Sequence, residues 1–260
     1  MLLETIILAI VQGITEFLPI SSSGHLVVGA DLFEQFGHPI SEKLTVNIVL
    51  HVGTLAAILV FYWERIWRLL GEDRRVIWLV AIGTLPAVIV GLLLKWQLED
   101  ALNSAMLVGL MFPVTGAMLL WSRRQPPGTL LCRDLGYRRA LLVGVFQALA
   151  ILPGISRSGA TIVAGLTSGL RRDEAAAFSF LLAIPAIGGA GLLEFVDLLG
   201  QSPGSTDFGA LAMGALVSFV VGVASLTWLV RWLQRGHLYR FAWWVLPLGP
   251  VVILWQLLWR

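Results

Sequence analysis

The 260-residue sequence predicts an all-α integral membrane protein, with six transmembrane helices and two re-entrant helical hairpins in an inverted-topology repeat. Three features predict it: an apolar composition, long apolar runs separated by short arginine-rich loops, and a serine-rich segment that occurs twice. Apolar residues make up 57% of the chain and charged residues 13%, against roughly 45–50% and about 25% in a soluble domain. Mean hydropathy is +0.84. The net charge of +2 does not point to nucleic acid, because the arginines fall in clusters between apolar runs, as membrane loops do. The one cysteine, Cys132, excludes an intrachain disulfide and reads as a bystander thiol.

Spanning a bilayer takes about 20 apolar residues. Leu44–Trp63, Val76–Trp96, Ala101–Trp121, Phe208–Val230 and Phe241–Trp259 meet that length. Ala175–Val196 makes a sixth, carrying Pro185 and glycines that membrane helices tolerate. Trp63, Trp96, Trp121 and Trp259 stand at span ends, where an interfacial belt places tryptophan. Leu2–Val11 is apolar but has no Lys or Arg before it and no small-residue cleavage pattern after it, so it is expected to be folded structure.

Leu2–Val11 and Leu26–Phe33 are too short to span, and the polar stretch Gln12–His25 lies between them. Ala140–Leu152 and Ala160–Leu170 likewise flank Pro153–Gly159. Short helices around a Gly/Pro/Ser-rich break are the pattern of hairpins that line a protein cavity. An offset of 135 residues superposes Gln12 on Gln147, Ile20 on Ile155, Ser21 on Ser156, Ser23 on Ser158, Gly24 on Gly159 and Gly53 on Gly188. A single membrane domain, 1–260, thus divides into a first repeat, 1–121, and a second, 136–260, each a hairpin followed by three spans. Three is odd, so the second copy lies inverted. With Glu64–Arg75 in the cytoplasm, so are Ser122–Arg139, Arg171–Glu174 and Arg231–Arg240; together these loops hold 14 of the 18 Lys and Arg residues. Lys43, Lys95 and Arg260 fall on the opposite face, and the first hairpin enters from outside.

The chemistry is expected where the repeat disagrees with itself. Glu16 matches Ile151, Ser22 matches Arg157, and His25 matches Ala160. Charged groups near mid-bilayer cost roughly 2.5–3.5 kcal/mol each on insertion scales and are functional candidates by default. Helix N-termini at Ser21–Gly24 and Ser156–Gly159 suit phosphate, although their serines can equally serve as caps. Arg157 could clamp phosphate oxygens, Ser22 could supply a nucleophile, and His25 or Glu16 could manage its proton. A Glu16–Arg157 ion pair that merely joins the hairpins is the structural alternative, but it leaves Ser22 and His25 unexplained. His51 is expected to be a packed helix histidine rather than a cavity residue.

The segments Gln12-Gly-Ile-Thr-Glu16-Phe-Leu-Pro-Ile-Ser-Ser-Ser-Gly-His25 and Pro153-Gly-Ile-Ser-Arg-Ser-Gly-Ala-Thr161 closely resemble the two signatures of the bacitracin-resistance undecaprenyl-diphosphate phosphatases. The likeness extends over essentially the whole chain, including the Gly53 helix and Phe178–Pro185. It implies hydrolysis of undecaprenyl diphosphate, a polyprenyl lipid, to the monophosphate in the bacterial plasma (inner) membrane; the outside entry of the Ser22 hairpin in turn suggests a site open to the non-cytoplasmic side. That reaction recycles the lipid carrier of cell-wall synthesis and confers bacitracin resistance. The resemblance also implies a divalent cation, Mg²⁺ or Ca²⁺. By position, Ser22 and His25 correspond to two nucleophile candidates, Glu16 to a catalytic or metal-linked carboxylate, and Arg157 to the phosphate-binding arginine. Gln12, Ser21, Ser23, Ser156, Ser158 and Thr161 complete the substrate-binding set. Gln12 is neutral, so it can be neither a general base nor an anionic metal ligand. The expected mechanism has Ser22 attack phosphorus, His25 relay its proton, and Glu16 hold metal or orient His25. Broken helices in an inverted repeat are also transporter architecture, so a lipid-phosphate or anion carrier is the rival reading. Membrane lipids are expected contacts; oligomeric state is left open, with a homodimer among the forms allowed.

Overall fold

A computed structural model of the chain describes residues 2–37, 43–94, 104–199 and 207–259. The expected end residues Lys95, Trp96, Ala101 and Arg260 lie outside them. Among the described residues eleven α-helices run in order: α1 Leu2–Thr15, α2 Ser22–Gln35, α3 Lys43–Phe61, α4 Trp63–Leu69, α5 Arg74–Leu94, α6 Ala105–Ser122, α7 Tyr137–Leu149, α8 Arg157–Thr167, α9 Arg172–Leu199, α10 Phe208–Gln234 and α11 Ala242–Trp259. Short 3₁₀ turns cover Cys132–Asp134 and Leu238–Phe241, and no strand occurs among the described residues.

Helices α5, α6, α9, α10 and α11 are long and apolar enough to cross a membrane, and α3 with α4 makes a sixth candidate, bent by 73°. The all-α membrane class therefore stands. The expected loops are partly helical: Glu64–Leu69 belongs to α4, Arg172–Glu174 opens α9, and Arg231–Gln234 closes α10. Helix α3 closes with Tyr62 N–H on the Ile58 carbonyl, and a new helix opens with Ile66 N–H on the Tyr62 carbonyl, so the chain bends at Tyr62 between two helical runs.

Both expected breaks are present: the first is narrower than Gln12–His25, and the second is shifted toward the N-terminus, lying between Leu149 and Arg157 rather than over Pro153–Gly159. Helix α1 runs through Gln12 to Thr15, and Leu18 N–H still bonds the Ile14 carbonyl. Pro19 then ends the helical pattern, having no N–H to donate and disfavouring a helical residue before it. The second break turns at Gly154, whose φ of +94° suits a residue without Cβ. Helices α1 and α7 begin 135 residues apart, as do α2 and α8. Helix α1 packs on α10 and α7 on α5, while α6 pairs with α11.

Small residues permit these approaches. A Cβ built on Gly144 of α7 would stand 2.4 Å from the Gly83 carbonyl oxygen and 2.9 Å from its Cα in α5. Those atoms are backbone and cannot rotate away. Gly144→Ala is therefore expected to destabilise the protein by about 2–3 kcal/mol, at the upper end of ordinary overpacking. Thermal unfolding in detergent measures this, and an unchanged midpoint would refute the packing argument.

The four arginine-rich loops meet at one end of the molecule. Arg65 pairs with Glu174 at 2.6 Å, Arg75 donates to the carbonyls of Arg133 and Leu135, Arg172 donates to the Gln234 carbonyl, and Arg123 lies over the Tyr239 ring. Cys132 is part of this latch: its N–H donates to Glu174 Oε2 at 2.6 Å and its thiol to the Glu174 carbonyl. Burial, reinforced by the adjacent Glu174 carboxylate, pushes the thiol well above its ordinary pKa. The thiol is thus an unreactive packing group with a loop-fastening role that composition alone did not show.

Candidate active site

The two breaks face each other. Ser21 caps α2, its Oγ accepting the Gly24 N–H at 3.3 Å, and the same oxygen accepts the Gly154 N–H of the other break at 3.2 Å. Ser21 holds φ +73°, a left-handed conformation that costs a residue with Cβ about 1–2 kcal/mol. Ser156 caps α8 by accepting from Gly159 N–H at 3.1 Å, and Ser158 donates to the Leu18 carbonyl at 3.3 Å. Thr115 of α6 ties the second break down, donating to the Gly154 carbonyl and accepting from Ser156 N–H. Ser158–Leu166 of α8 is buried throughout, so this hairpin sits inside protein.

Glu16 is the centre of the arrangement. Its Oε1 accepts from Arg157 Nη2, and its Oε2 accepts from Ser22 Oγ at 2.6 Å and from Gln12 Nε2 at 3.2 Å. The carboxylate is buried and the Arg157 side chain mostly so. Arg157 Nη1 is also buried yet makes no hydrogen bond within the protein. A charged donor so placed is costly unless something accepts from it. The Glu16–Arg157 pair exists, therefore, but it is not only a strut, since the Ser22 hydroxyl joins it.

The other expected residues divide. Ser21, Ser156 and Ser158 are buried and engaged in caps and cross-braces, and Thr161 donates to the Arg157 carbonyl at 2.8 Å and touches Ser179. Ser23 is exposed, 3.4 Å from Ser21 Oγ. His25 departs from the expected relay. Its Nδ1 lies 2.7 Å from the Ser21 carbonyl and its Nε2 3.0 Å from the indole nitrogen of Trp244, so neither ring nitrogen addresses Ser22. The group on the Ser22 hydroxyl is Glu16, and the imidazole beside Glu16 is that of His51, with Nε2 3.9 Å from Oε2 and Nδ1 on the Asn47 carbonyl. His51 thus belongs to the site, contrary to its reading as a packing residue. Thr115 and Trp244 had no local signal; both reach the site from remote helices.

A family model described as bacitracin resistance protein BacA matches residues 5–251. The chain belongs to the BacA family. It is 52% identical to an undecaprenyl-diphosphatase of Rhodopirellula baltica over 97% of both chains. Undecaprenyl-diphosphatase 3 of Bacillus cereus is 41% identical over 98% of this chain and 97% of its own, and the undecaprenyl-diphosphatase of Methanosphaera stadtmanae 38% over 97% of each. In this BacA-family chain, no group of three or more His, Cys, Asp or Glu side chains among the described residues is placed to hold a metal ion. The cluster around Ser22 and Arg157 thus offers a cation one carboxylate, that of Glu16, with both oxygens already hydrogen-bonded to protein donors.

Proposed function

We propose that this chain hydrolyses undecaprenyl diphosphate to undecaprenyl phosphate and inorganic phosphate. The observation that carries the reading is the Ser22 hydroxyl held on Glu16 beside an arginine with a free buried donor. Arg157 Nη1 binds the terminal phosphate and offsets its charge. Ser22 Oγ attacks phosphorus as its proton passes to Glu16 Oε2, and the bond to the lipid-side phosphate breaks. Glu16 gives that proton to the departing lipid monophosphate. Water then attacks the phosphoserine, its proton again taken by Glu16, and inorganic phosphate leaves as Ser22 recovers its proton.

The halves 1–121 and 136–260 form the inverted repeat in this proposal, and the joined arginine loops face the cytoplasm of an inner membrane. The Ser22 hairpin then opens to the outer side, where the diphosphate is presented. The divalent cation, Mg²⁺ or Ca²⁺, belongs to the substrate as the counter-ion of the diphosphate, because small hard cations bind through few carboxylates plus phosphate oxygens.

Purified protein in detergent micelles is expected to release inorganic phosphate from undecaprenyl diphosphate. A pure carrier, which needs two compartments, releases none, and that result would refute the proposal. A chelator should stop release and added Mg²⁺ or Ca²⁺ restore it. Equilibrium dialysis should show no stoichiometric cation on the protein without the lipid; a tightly held ion there would contradict the assignment to substrate.

A further inference from the structure

The Trp244–His25 contact joins the two halves of the chain at a point that the hydrolytic scheme leaves unused. Trp244 is 55% exposed on α11, where an indole facing lipid needs no partner. Its Nε1–H is instead turned inward, 3.0 Å from His25 Nε2, with the two rings 11° from parallel. Indole nitrogen only donates, so Nε2 is the acceptor and the imidazole proton resides on Nδ1. That proton goes to the Ser21 carbonyl at 2.7 Å. The edge of Phe112, with centroids 5.2 Å apart, closes another side of the ring.

Ser21 is the strained left-handed residue immediately before Ser22. Relaxation of Ser21 to an ordinary φ would rotate the following peptide and carry Ser22 Oγ away from Glu16. Resting on the hydrolase reading, we propose that Trp244 is a positioning residue for the reaction, acting on Ser22 through His25 and the Ser21 backbone. His25 serves in this scheme as the coupling piece, not as the base or the nucleophile.

A double-mutant cycle tests the proposal on the full chain in detergent, with undecaprenyl diphosphate as substrate. Trp244→Phe keeps a ring and removes the donor; it should lower kcat about fivefold, the scale of one neutral hydrogen bond, with KM changed less than about twofold. His25→Gln should lower kcat further, and the double variant should be no worse than His25→Gln alone. Effects that multiply, or a loss confined to KM as a lipid contact would give, overturn the proposal. In ¹⁵N-histidine NMR, the His25 Nε2 resonance, assigned by its absence in His25→Gln, should move in Trp244→Phe. An unmoved resonance overturns the contact whatever the activities show. Failure of the hydrolase reading is seen separately, as wild-type protein that releases no phosphate.

Discussion

Ser22→Ala is expected to reduce phosphate release by at least about a thousandfold, because it removes the attacking oxygen and no other hydroxyl bonds to Glu16 among the described residues. The fold should not notice. Ser22 is only partly buried, opens α2 behind its cap Ser21, and alanine is at least as good a helix former. Glu16 keeps Arg157 and Gln12 as partners in the variant. Thermal midpoint and elution from size exclusion should therefore match wild type within the range of a surface substitution, about 0.5 kcal/mol. Near-normal turnover in Ser22→Ala would move the nucleophile to His25 or directly to water, and the scheme above would have to be redrawn.

Arg157→Ala should fail in two ways at once. Turnover is expected to fall by at least about a hundredfold through loss of the phosphate donor, as for other preorganised donors. Stability should fall by about 3 kcal/mol, because a buried Glu16 carboxylate is left without its cation. The double variant Glu16→Gln with Arg157→Met separates the effects. Removing both charges should restore much of the thermal midpoint, since a buried pair contributes little net stability, while leaving the enzyme inactive. Recovery of activity in that double variant would reduce the pair to a strut. Failure to recover stability would place the cost of Arg157→Ala in packing rather than charge.

Most of the fold was legible in the sequence because membrane spanning is a local property. A run of about 20 apolar residues declares itself without reference to the rest of the chain, and the spans fell where hydropathy put them. Breaks were legible for the same reason, since Pro19 and Gly154 impose their geometry on immediate neighbours. Where α1 and α7 end was less so: Gln12 and Gln147 are polar, but glutamine is a good helix former and both lie within helices, Gln12 with its side chain on Glu16 one turn away. The helical turn at Glu64–Leu69 escaped notice because charge density and helix formation are independent of one another.

The two serine-rich segments were found by sequence alone, as were the mismatched residues Glu16, Ser22, His25 and Arg157 that make their tips unlike. Tertiary structure decided which oxygen or nitrogen each one meets. It gave Ser22 to Glu16 rather than to His25, confined Ser156, Ser158 and Thr161 to bracing, and brought in His51, Thr115 and Trp244. Hydrogen bonds reach about 3 Å and depend on direction, whereas Ser22 and Trp244 are separated by most of the chain. Spacing along a helix fixes which residues share a face; only the packing of α6, α8 and α11 around the tips fixes what those faces touch.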